Sequence, residues 1–170
     1  MIRTSLLHLN GNIKPTLPEN LHFTLFFFGD IDDTTVERIK HKINEVRFEE
    51  FEISYKKIGA FPTYKQPKVI WIGLDDNSKK KLNSLFELVK CKMEQIGFKP
   101  DKQFKPHLTL FRVKRPIGNI EEYLSKHSDL IGGSEIIDKI HIKKSELFPS
   151  GPLYSNILTV FATNKIENEK

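Results

Sequence analysis

The sequence predicts an α+β fold built from two related halves. The pattern His-x-Thr-Leu occurs twice, as HFTL at residues 22–25 and as HLTL at residues 107–110, a pairing expected roughly once in a few thousand chains of this composition. Each copy precedes a helix and two strand-like segments in the same order. We therefore expect one domain, 1–170, with pseudo-repeats at about 18–75 and 76–163. A pseudo-twofold would relate its antiparallel sheets, with a concave face left open and helices packed outside.

The elements of the first half follow from local periodicity. Residues 2–9 are predicted as a strand, and residues 10–20, rich in Asn and Pro, as an irregular loop. The apolar run LHFTLFFFG at 21–29 predicts a buried strand. Thr34 and Glu37 form the capping-box pattern at the start of a helix. Its apolar positions recur at helical spacing: Val36, Ile39, Ile43 and Val46.

The remaining elements are predicted in the same way. FEEFEISYKKIGAF and KVIWIGL are strand-like and are separated by the turn-forming PTYKQP. In the second half, HLTLFRVK predicts a strand, NIEEYLSKHS a short helix capped by Asn119, SEIIDKIHIKKSELF one long strand, and LYSNILTVFA another. Before the second motif lies an amphipathic helix that ends before Gly97, a residue typical of the position after a helix. Its apolar stripe comprises Leu82, Leu85, Phe86, Val89, Met93 and Ile96.

Composition restricts the class of protein. With 38% hydrophobic and 29% charged residues in 170, the chain is that of a globular protein rather than a disordered one. No apolar run approaches the roughly 18 residues that a membrane helix needs, and the amino terminus lacks the features of a signal peptide. The single cysteine, Cys91, excludes an intrachain disulfide. We expect a cytoplasmic monomer with no membrane partner.

Basic residues are concentrated around the second motif. The net charge is +5, and only Asp101 opposes the cluster. Such a cluster suits a polyanion; a solvated, solubilising surface is the alternative. Its members are Lys99, Lys102, Lys105, Arg112, Lys114 and Arg115.

The repeated motif suits acid–base chemistry at phosphorus. In a strand, His22 and Thr24 would point to one side, and so would His107 and Thr109, because side chains two residues apart share a face. Apolar neighbours would anchor the other face. Imidazole has an intrinsic pKa of about 6.5, so one ring can accept a proton while the other donates one. The two hydroxyls can hold phosphoryl oxygens. A single histidine in an apolar strand is more often structural, but the pair favours catalysis.

The other histidines are expected to be structural or surface residues: His8, His41, His127 and His141. No Cys cluster or HExxH spacing is present, and neither motif has a nearby carboxylate ligand. We therefore expect no metal.

Four segments in order carry a resemblance to a known family: PENLHFTLFFFGDI, IGAFPTYKQPKVIWIGL, FKPHLTLFRV and SELFPSGPLYSNI. They resemble the 2H phosphoesterase superfamily and, within it, the RNA 2′,3′-cyclic phosphodiesterases, formerly called 2′-5′ RNA ligases. The resemblance covers about residues 18–160. It implies a bilobal fold with a positively charged cleft, and hydrolysis of a 2′,3′-cyclic phosphate to a 2′-phosphate without metal or other cofactor.

The resemblance also implies residue roles. His22 matches the proton donor and His107 the proton acceptor, whereas Thr24 and Thr109 match the phosphate-holding hydroxyls. Arg112 matches a basic residue commonly found after the second motif. The segment before the first motif is shorter than in relatives and its first strand lacks their aromatic residue, so we expect the cleft rim, and with it substrate preference, to differ.

The expected partners are RNA ends, tRNA fragments among them, or nucleotide cyclic phosphates. One alternative is a phosphodiesterase or ligase acting on 2′-5′ linkages or on nucleotide cyclic phosphates. The other is a non-catalytic protein that binds RNA ends through the basic cluster and through stacking aromatic residues such as Phe61, Tyr64 and Phe104.

Overall fold

The computed structural model describes residues 12–126, 132–148 and 151–163. Within these ranges it is an α+β structure whose strand pairs β1–β4, β2–β3, β3–β4 and β6–β7 are antiparallel, which confirms the predicted fold class. The strands are β1 (Ile13–Pro15), β2 (Phe51–Phe61), β3 (Val69–Leu74), β4 (Leu108–Val113), β5 (Ser134–Ile137), β6 (Lys139–Phe148) and β7 (Gly151–Phe161). The helices are α1 (Asp33–Ile43), α2 (Asp76–Glu94) and α3 (Glu121–Lys126). The strand predicted at residues 2–9 lies outside the described residues.

The chain forms two compact units, and each gathers segments from both halves of the sequence. Both His-x-Thr motifs fall in one of them. The pseudo-repeats stay a prediction, since the compact units cut across them. We call the unit with the motifs the motif unit; its described residues are 12–24, 53–80, 105–126 and 132–135. We call the other the ribbon unit; its described residues are 25–52, 81–104, 136–148 and 151–163.

A five-stranded sheet in the order β1-β4-β3-β2-β5 forms the frame of the motif unit. One face of β2, β3 and β4 is apolar and packs with α3. At the start of α3, the side chain of Asn119 accepts a hydrogen bond from the amide of Glu121 at 3.0 Å. The predicted Asn119 cap is therefore confirmed. The buried cluster comprises Ala60, Ile70, Ile72, Leu108, Leu110, Phe111, Ile120 and Leu124.

The ribbon unit contains α1, the apolar stripe of α2, and the two-stranded ribbon β6–β7. The stripe of α2 is confirmed, because five of its six predicted residues are buried: Leu82, Leu85, Phe86, Val89 and Met93. The chain leaves α2 at Gly97, whose φ of +90° is easily adopted only without a Cβ atom. In the part of the chain that the structure describes, no helix is both long and apolar enough to cross a membrane.

The run LHFTLFFFG is not a strand, contrary to prediction. Its apolar side chains are shared between two cores, because the motif unit ends at Thr24 and the ribbon unit begins at Leu25. Leu21 and Phe23 pack against the cluster of the motif unit, whereas the Phe28 ring meets Phe98 of the ribbon unit with centroids 5.4 Å apart. Because the side chains of this run pack into two cores, the run does not pair with a neighbouring strand.

Three smaller predictions were also wrong. The side chain of Asp32, not Thr34, caps α1 by accepting from the amide of Thr35 at 2.7 Å. The loop predicted at residues 10–20 contains the short strand β1, which pairs with β4. The long strand predicted across residues 134–148 is broken at Asp138 into β5 and β6, which belong to different sheets.

Candidate active site

His107 immediately precedes β4, and its imidazole is held in one tautomer. Its Nδ1 lies 2.7 Å from the backbone oxygen of Lys105. A carbonyl oxygen can only accept a hydrogen bond, so Nδ1 carries the hydrogen. In the neutral ring the lone pair is therefore on Nε2. Nε2 is thus the atom through which His107 can accept a proton.

His22 has the same local arrangement although it lies outside any strand. Its Nδ1 is 2.7 Å from the backbone oxygen of Asn20, again two residues earlier in the chain. The carbonyl fixes the same tautomer, so Nε2 is also the proton-transfer atom of this ring. Asn20 ends a 3-10 turn, Pro18–Asn20, which places the carbonyl in reach. The two motifs thus share a hydrogen-bonding pattern as well as a sequence pattern.

A single hydrophobic core anchors both motifs. Leu21 and Phe23, on either side of His22, pack against the buried cluster that includes Leu108 and Leu110, on either side of Thr109. This is the apolar anchoring that the strand alternation predicted, even though the first motif forms no strand. Thr24 is exposed and Thr109 is half-buried. The structure therefore brings the four predicted motif side chains into one compact unit.

Two aromatic rings form a wall beside His107. The Phe61 ring stands edge-on to the imidazole with centroids 5.0 Å apart and planes at 88°. The Trp71 ring lies 6.3 Å from the imidazole and 5.1 Å from Phe61. Trp71 pairs with Thr109 across β3 and β4, so both share the face of the sheet that is opposite the core. These rings restrict how the His107 imidazole can turn.

Gly59 provides the space in which the Trp71 ring rests. Gly59 lies directly opposite Trp71 in the β2–β3 pair, and a Cβ atom at this position would come within 2.3 Å of Trp71 Cζ2. The indole Nε1 is buried and has no hydrogen-bond partner among the described residues. Sequence reasoning missed Trp71 and Gly59 as parts of the site, because only the strand register shows which glycine faces which ring.

A β-bulge brings Arg112 to the same side of the sheet as Thr109. Residues three apart in a regular strand face opposite sides. Here Thr109 pairs with Trp71 but Arg112 pairs with Val69, so Leu110 is the extra residue and the two side chains share a face. Lys14 on β1 lies opposite Arg112. Arg112 is exposed, and its guanidinium can reach an anion bound on this face.

The predicted basic cluster does not stay together in one unit. Lys99 and Lys102 belong to the ribbon unit, and Lys102 lies 3.8 Å from the carboxylate of Asp101. The other four members belong to the motif unit: Lys105, Arg112, Lys114 and Arg115. Of these, the strand register places Arg112 on the face that carries Thr109 and Trp71. Arg112 is therefore the member whose side chain the register places on the face of the motif, whereas Lys105 contacts His107 through its backbone oxygen.

Two of the three aromatic residues considered for base stacking are used for packing. Tyr64 packs against the buried cluster of the motif unit, and the Phe104 ring stacks on Phe86 with centroids 4.5 Å apart. Only Phe61 lies at the motif. A pocket of about 230 Å³ in the motif unit is separate from this face, because its wall includes core-side residues. It is lined by Ile58, Tyr64, Glu121, Leu124 and Ser125.

The other histidines differ in their surroundings. The His41 side chain is 79% exposed on α1, 3.4 Å from a carboxylate oxygen of Glu45. His141 is partly buried and hydrogen-bonds Thr159 across the ribbon. His8 and His127 lie outside the described residues. Among the residues described here, no group of three or more His, Cys, Asp and Glu side chains is arranged to hold a metal ion.

Comparison with known proteins assigns the family. A model of the family described as LigT-like phosphoesterase matches the chain twice, over residues 3–71 and 72–154. The chain belongs to the LigT-like phosphoesterase family. This family is part of the 2H superfamily. A relative from Archaeoglobus fulgidus named RNA 2′,3′-cyclic phosphodiesterase is 36% identical over 160 residues, covering 92% of this chain and 89% of that protein. A relative of the same name from Methanothermobacter thermautotrophicus is 32% identical over 160 residues, covering 92% and 86%.

The fold is also that of LigT, because a crystal structure of E. coli LigT superposes with a TM-score of 0.71 at 19% identity, covering 95% of this chain and 91% of that one. A crystal structure of a protein from Thermus thermophilus superposes with a TM-score of 0.72 at 23% identity, covering 94% of this chain and 88% of that one. The resemblance to the 2H superfamily drawn from the sequence is therefore confirmed.

Proposed function

We propose that this LigT-like phosphoesterase hydrolyses the 2′,3′-cyclic phosphate at RNA ends to a 2′-phosphate, with His107 as general base and His22 as general acid. The observation that supports this most directly is the matched pair of hydrogen bonds from Nδ1 to a carbonyl two residues earlier. They give both imidazoles the same proton-transfer atom, Nε2. One ring can then accept a proton from the attacking water while the other donates a proton to the leaving oxygen.

The reaction balances with these two groups. Neutral His107 accepts a proton from water at Nε2 as the water oxygen attacks phosphorus. The bond from phosphorus to O3′ breaks on the opposite side, and protonated His22 donates its Nε2 proton to that oxygen. The product carries a 2′-phosphate and a free 3′-hydroxyl. His107 ends charged and His22 neutral, so solvent exchange restores the starting state.

The remaining site residues would hold the phosphate. Charge increases on the non-bridging oxygens in the transition state, where positioned donors act most strongly. The hydroxyls of Thr24 and Thr109 can donate to these oxygens. Arg112 adds a permanent positive charge, because the bulge at Leu110 turns it to the face of Thr109. The aromatic wall of Phe61 and Trp71 keeps the base ring in position.

The relatives support the choice of substrate. Both named above are called RNA 2′,3′-cyclic phosphodiesterases, and each aligns with at least 86% of its own length. The chain's net charge of +5 favours an anionic partner. RNA ends or nucleotide cyclic phosphates are therefore the substrates that we propose. Independence of metal is part of the same proposal.

The test is to incubate the protein with an RNA that ends in a 2′,3′-cyclic phosphate, in the presence of a chelator, and to identify the product. A 2′-phosphate end is expected. A 3′-phosphate end would reverse the assignment of the leaving oxygen. Activity lost with chelator and restored by a divalent ion would contradict the metal-free mechanism. Tight binding without any product would favour the non-catalytic RNA-end binder. A joined product, formed when a ribose hydroxyl replaces water, would favour the ligase.

A further inference from the structure

One face of the β6–β7 ribbon combines cations, hydrogen-bond donors and an exposed aromatic ring. Alternate residues of β6 point to this face, and the strand register places three residues of β7 directly beside them. We call it the ribbon cation face. It consists of Lys139, His141 and Lys143 on β6, and of Asn156, Thr159 and Phe161 on β7.

Cross-strand hydrogen bonds confirm that these side chains share a face. His141 Nδ1 lies 2.8 Å from Thr159 Oγ1. Lys143 Nζ donates to Asn156 Oδ1 at 2.9 Å. The opposite face of the ribbon is directed toward the core, and Ile140 on that face is only 7% exposed. The ribbon therefore has an apolar side and a side that is polar and cationic.

The electrostatic environment of this face is positive. Partial burial and the nearby ammonium groups of Lys143 and Lys139 lower the pKa of His141, against a smaller opposing effect of Asp138. Asp138 also lies 3.3 Å from Lys139, but both side chains are more than two-fifths exposed. An exposed pair of this kind is weak and is easily exchanged for another anion.

An exposed aromatic ring next to the cations is the second observation. Phe161 pairs directly with Lys139 and is 67% exposed. Single exposed aromatic residues are common on protein surfaces, so Phe161 is notable here only because it lies directly beside a lysine. Aromatic rings beside a basic strip are the combination by which proteins hold single-stranded nucleic acids, with bases stacked on the rings and phosphates on the cations.

We propose that the ribbon cation face binds the strand of a single-stranded RNA substrate, with phosphates at Lys139 and Lys143 and a base stacked on Phe161. The proposal rests on the proposed function only in taking RNA as the substrate. This face is separate in sequence from the His-x-Thr motifs and from the basic cluster around the second motif. It adds affinity for longer RNA rather than chemistry.

The first test measures binding of a single-stranded oligoribonucleotide that ends in a 2′-phosphate, which cannot be hydrolysed further by this reaction. The double variant Lys139→Gln/Lys143→Gln should bind it more weakly. The slope of log K against log salt should fall by about 1.4, because each lost phosphate contact in a single strand contributes about 0.7. The loss should be larger for the oligonucleotide than for a mononucleotide 2′-phosphate.

Lys144→Gln is the matched control. Lys144 neighbours Lys143 on the same strand, but alternation places it on the other face, 3.4 Å from the carboxylate of Glu146. This variant should bind the oligonucleotide as the unchanged protein does. An equal loss with Lys144→Gln, or no change of slope in the double variant, would overturn the proposal.

The second test concerns stacking. Phe161→Leu should weaken oligonucleotide binding about 5- to 150-fold, which is the range for loss of one stacked base, and leave the salt slope unchanged. Phe27→Leu removes an aromatic ring of similar exposure, 76%, and should change nothing. Unchanged binding in Phe161→Leu would contradict the stacking contact. If the protein opens no cyclic phosphate at all, the proposed function fails, whereas these binding results still decide about the face.

Discussion

The two His-x-Thr motifs have the same local hydrogen bond but differ in the structure that surrounds them. In each, Nδ1 of the histidine hydrogen-bonds a carbonyl two residues earlier at 2.7 Å. The second motif leads into β4, which pairs with strands on both sides, and its imidazole meets Phe61 and Trp71. The first motif lies in a segment without strand pairing, where the chain passes from the motif unit to the ribbon unit.

This difference shows that the motif encodes a local geometry rather than a strand. A backbone that turns the imidazole toward the carbonyl of residue i−2 fixes the tautomer in either setting. What surrounds the ring is then decided by the rest of the fold. We therefore expect the two histidines to be equally important to the rate, but to respond differently to changes around them.

The largest effect should come from the histidines themselves. His22→Ala and His107→Ala should each lower kcat about 10²- to 10⁴-fold, the usual contribution of a general acid or base, while the protein remains folded. Turnover of a 2′,3′-cyclic phosphate measures this. His41→Ala is the control, because His41 is on an exposed part of α1. Near-normal turnover in either motif variant would rule out the two-histidine mechanism.

Substitutions in the apolar stretches after the two motifs should differ strongly in their effect on the free energy of unfolding. Phe111 follows the second motif on β4 and is 0% exposed, so Phe111→Ala should cost about 3–5 kcal/mol in the free energy of unfolding. Phe27 follows the first motif and is 76% exposed. Phe27→Ala should change the free energy by less than about 0.5 kcal/mol. Denaturant unfolding compares the two, and similar losses would contradict the exposure of Phe27.

Arg112 should matter more than an arginine elsewhere. Arg112→Gln removes a charge on the face of Thr109 and should lower kcat/KM about 10- to 100-fold, since hydrogen bonds to charged groups contribute about 1.5–3 kcal/mol. Arg38→Gln makes the same change of net charge on α1 and should have little effect. Equal losses would indicate that only the total charge of the protein is important.

The pH dependence should distinguish the roles of the two rings. In the proposed mechanism only the form with His22 charged and His107 neutral reacts, so kcat/KM should fall about tenfold per pH unit on each side of an optimum. In His107→Ala the acidic limb should disappear, because no base has to lose its proton. In His22→Ala the alkaline limb should disappear. A rate that climbs steadily to high pH would replace this mechanism with hydroxide activated in another way.

The smallest effect should come from the surroundings of His107. Gly59→Ala would push a methyl group against Trp71, which touches His107, and should lower kcat about tenfold with little change in KM. The second change in Gly59→Ala/Trp71→Phe gives the methyl group room and should restore part of the rate. Gly132→Ala is the matched control, since a Cβ atom there meets nothing within 4 Å. A rise in KM alone would mean that Trp71 contacts substrate rather than positioning the base.

The sequence by itself determined the features that depend on neighbours close in the chain. The stripe of α2 and its end at Gly97 follow from helical periodicity and from the positive φ that glycine tolerates. Most of the strands were predictable, because segments rich in β-branched and aromatic residues lie between turn-forming residues. The two histidines stood out through repetition alone, although their catalytic roles stay a proposal.

Only the tertiary structure decided the features that depend on pairing between distant segments. The bulge at Leu110, which turns Arg112 toward Thr109, appears only in the register of β4 against β3. Gly59 meets Trp71 for the same reason. The run LHFTLFFFG has the local pattern of a strand, but its side chains are divided between two cores. Register and core membership are set by long-range contacts, and a local pattern of apolar residues is compatible with several of them.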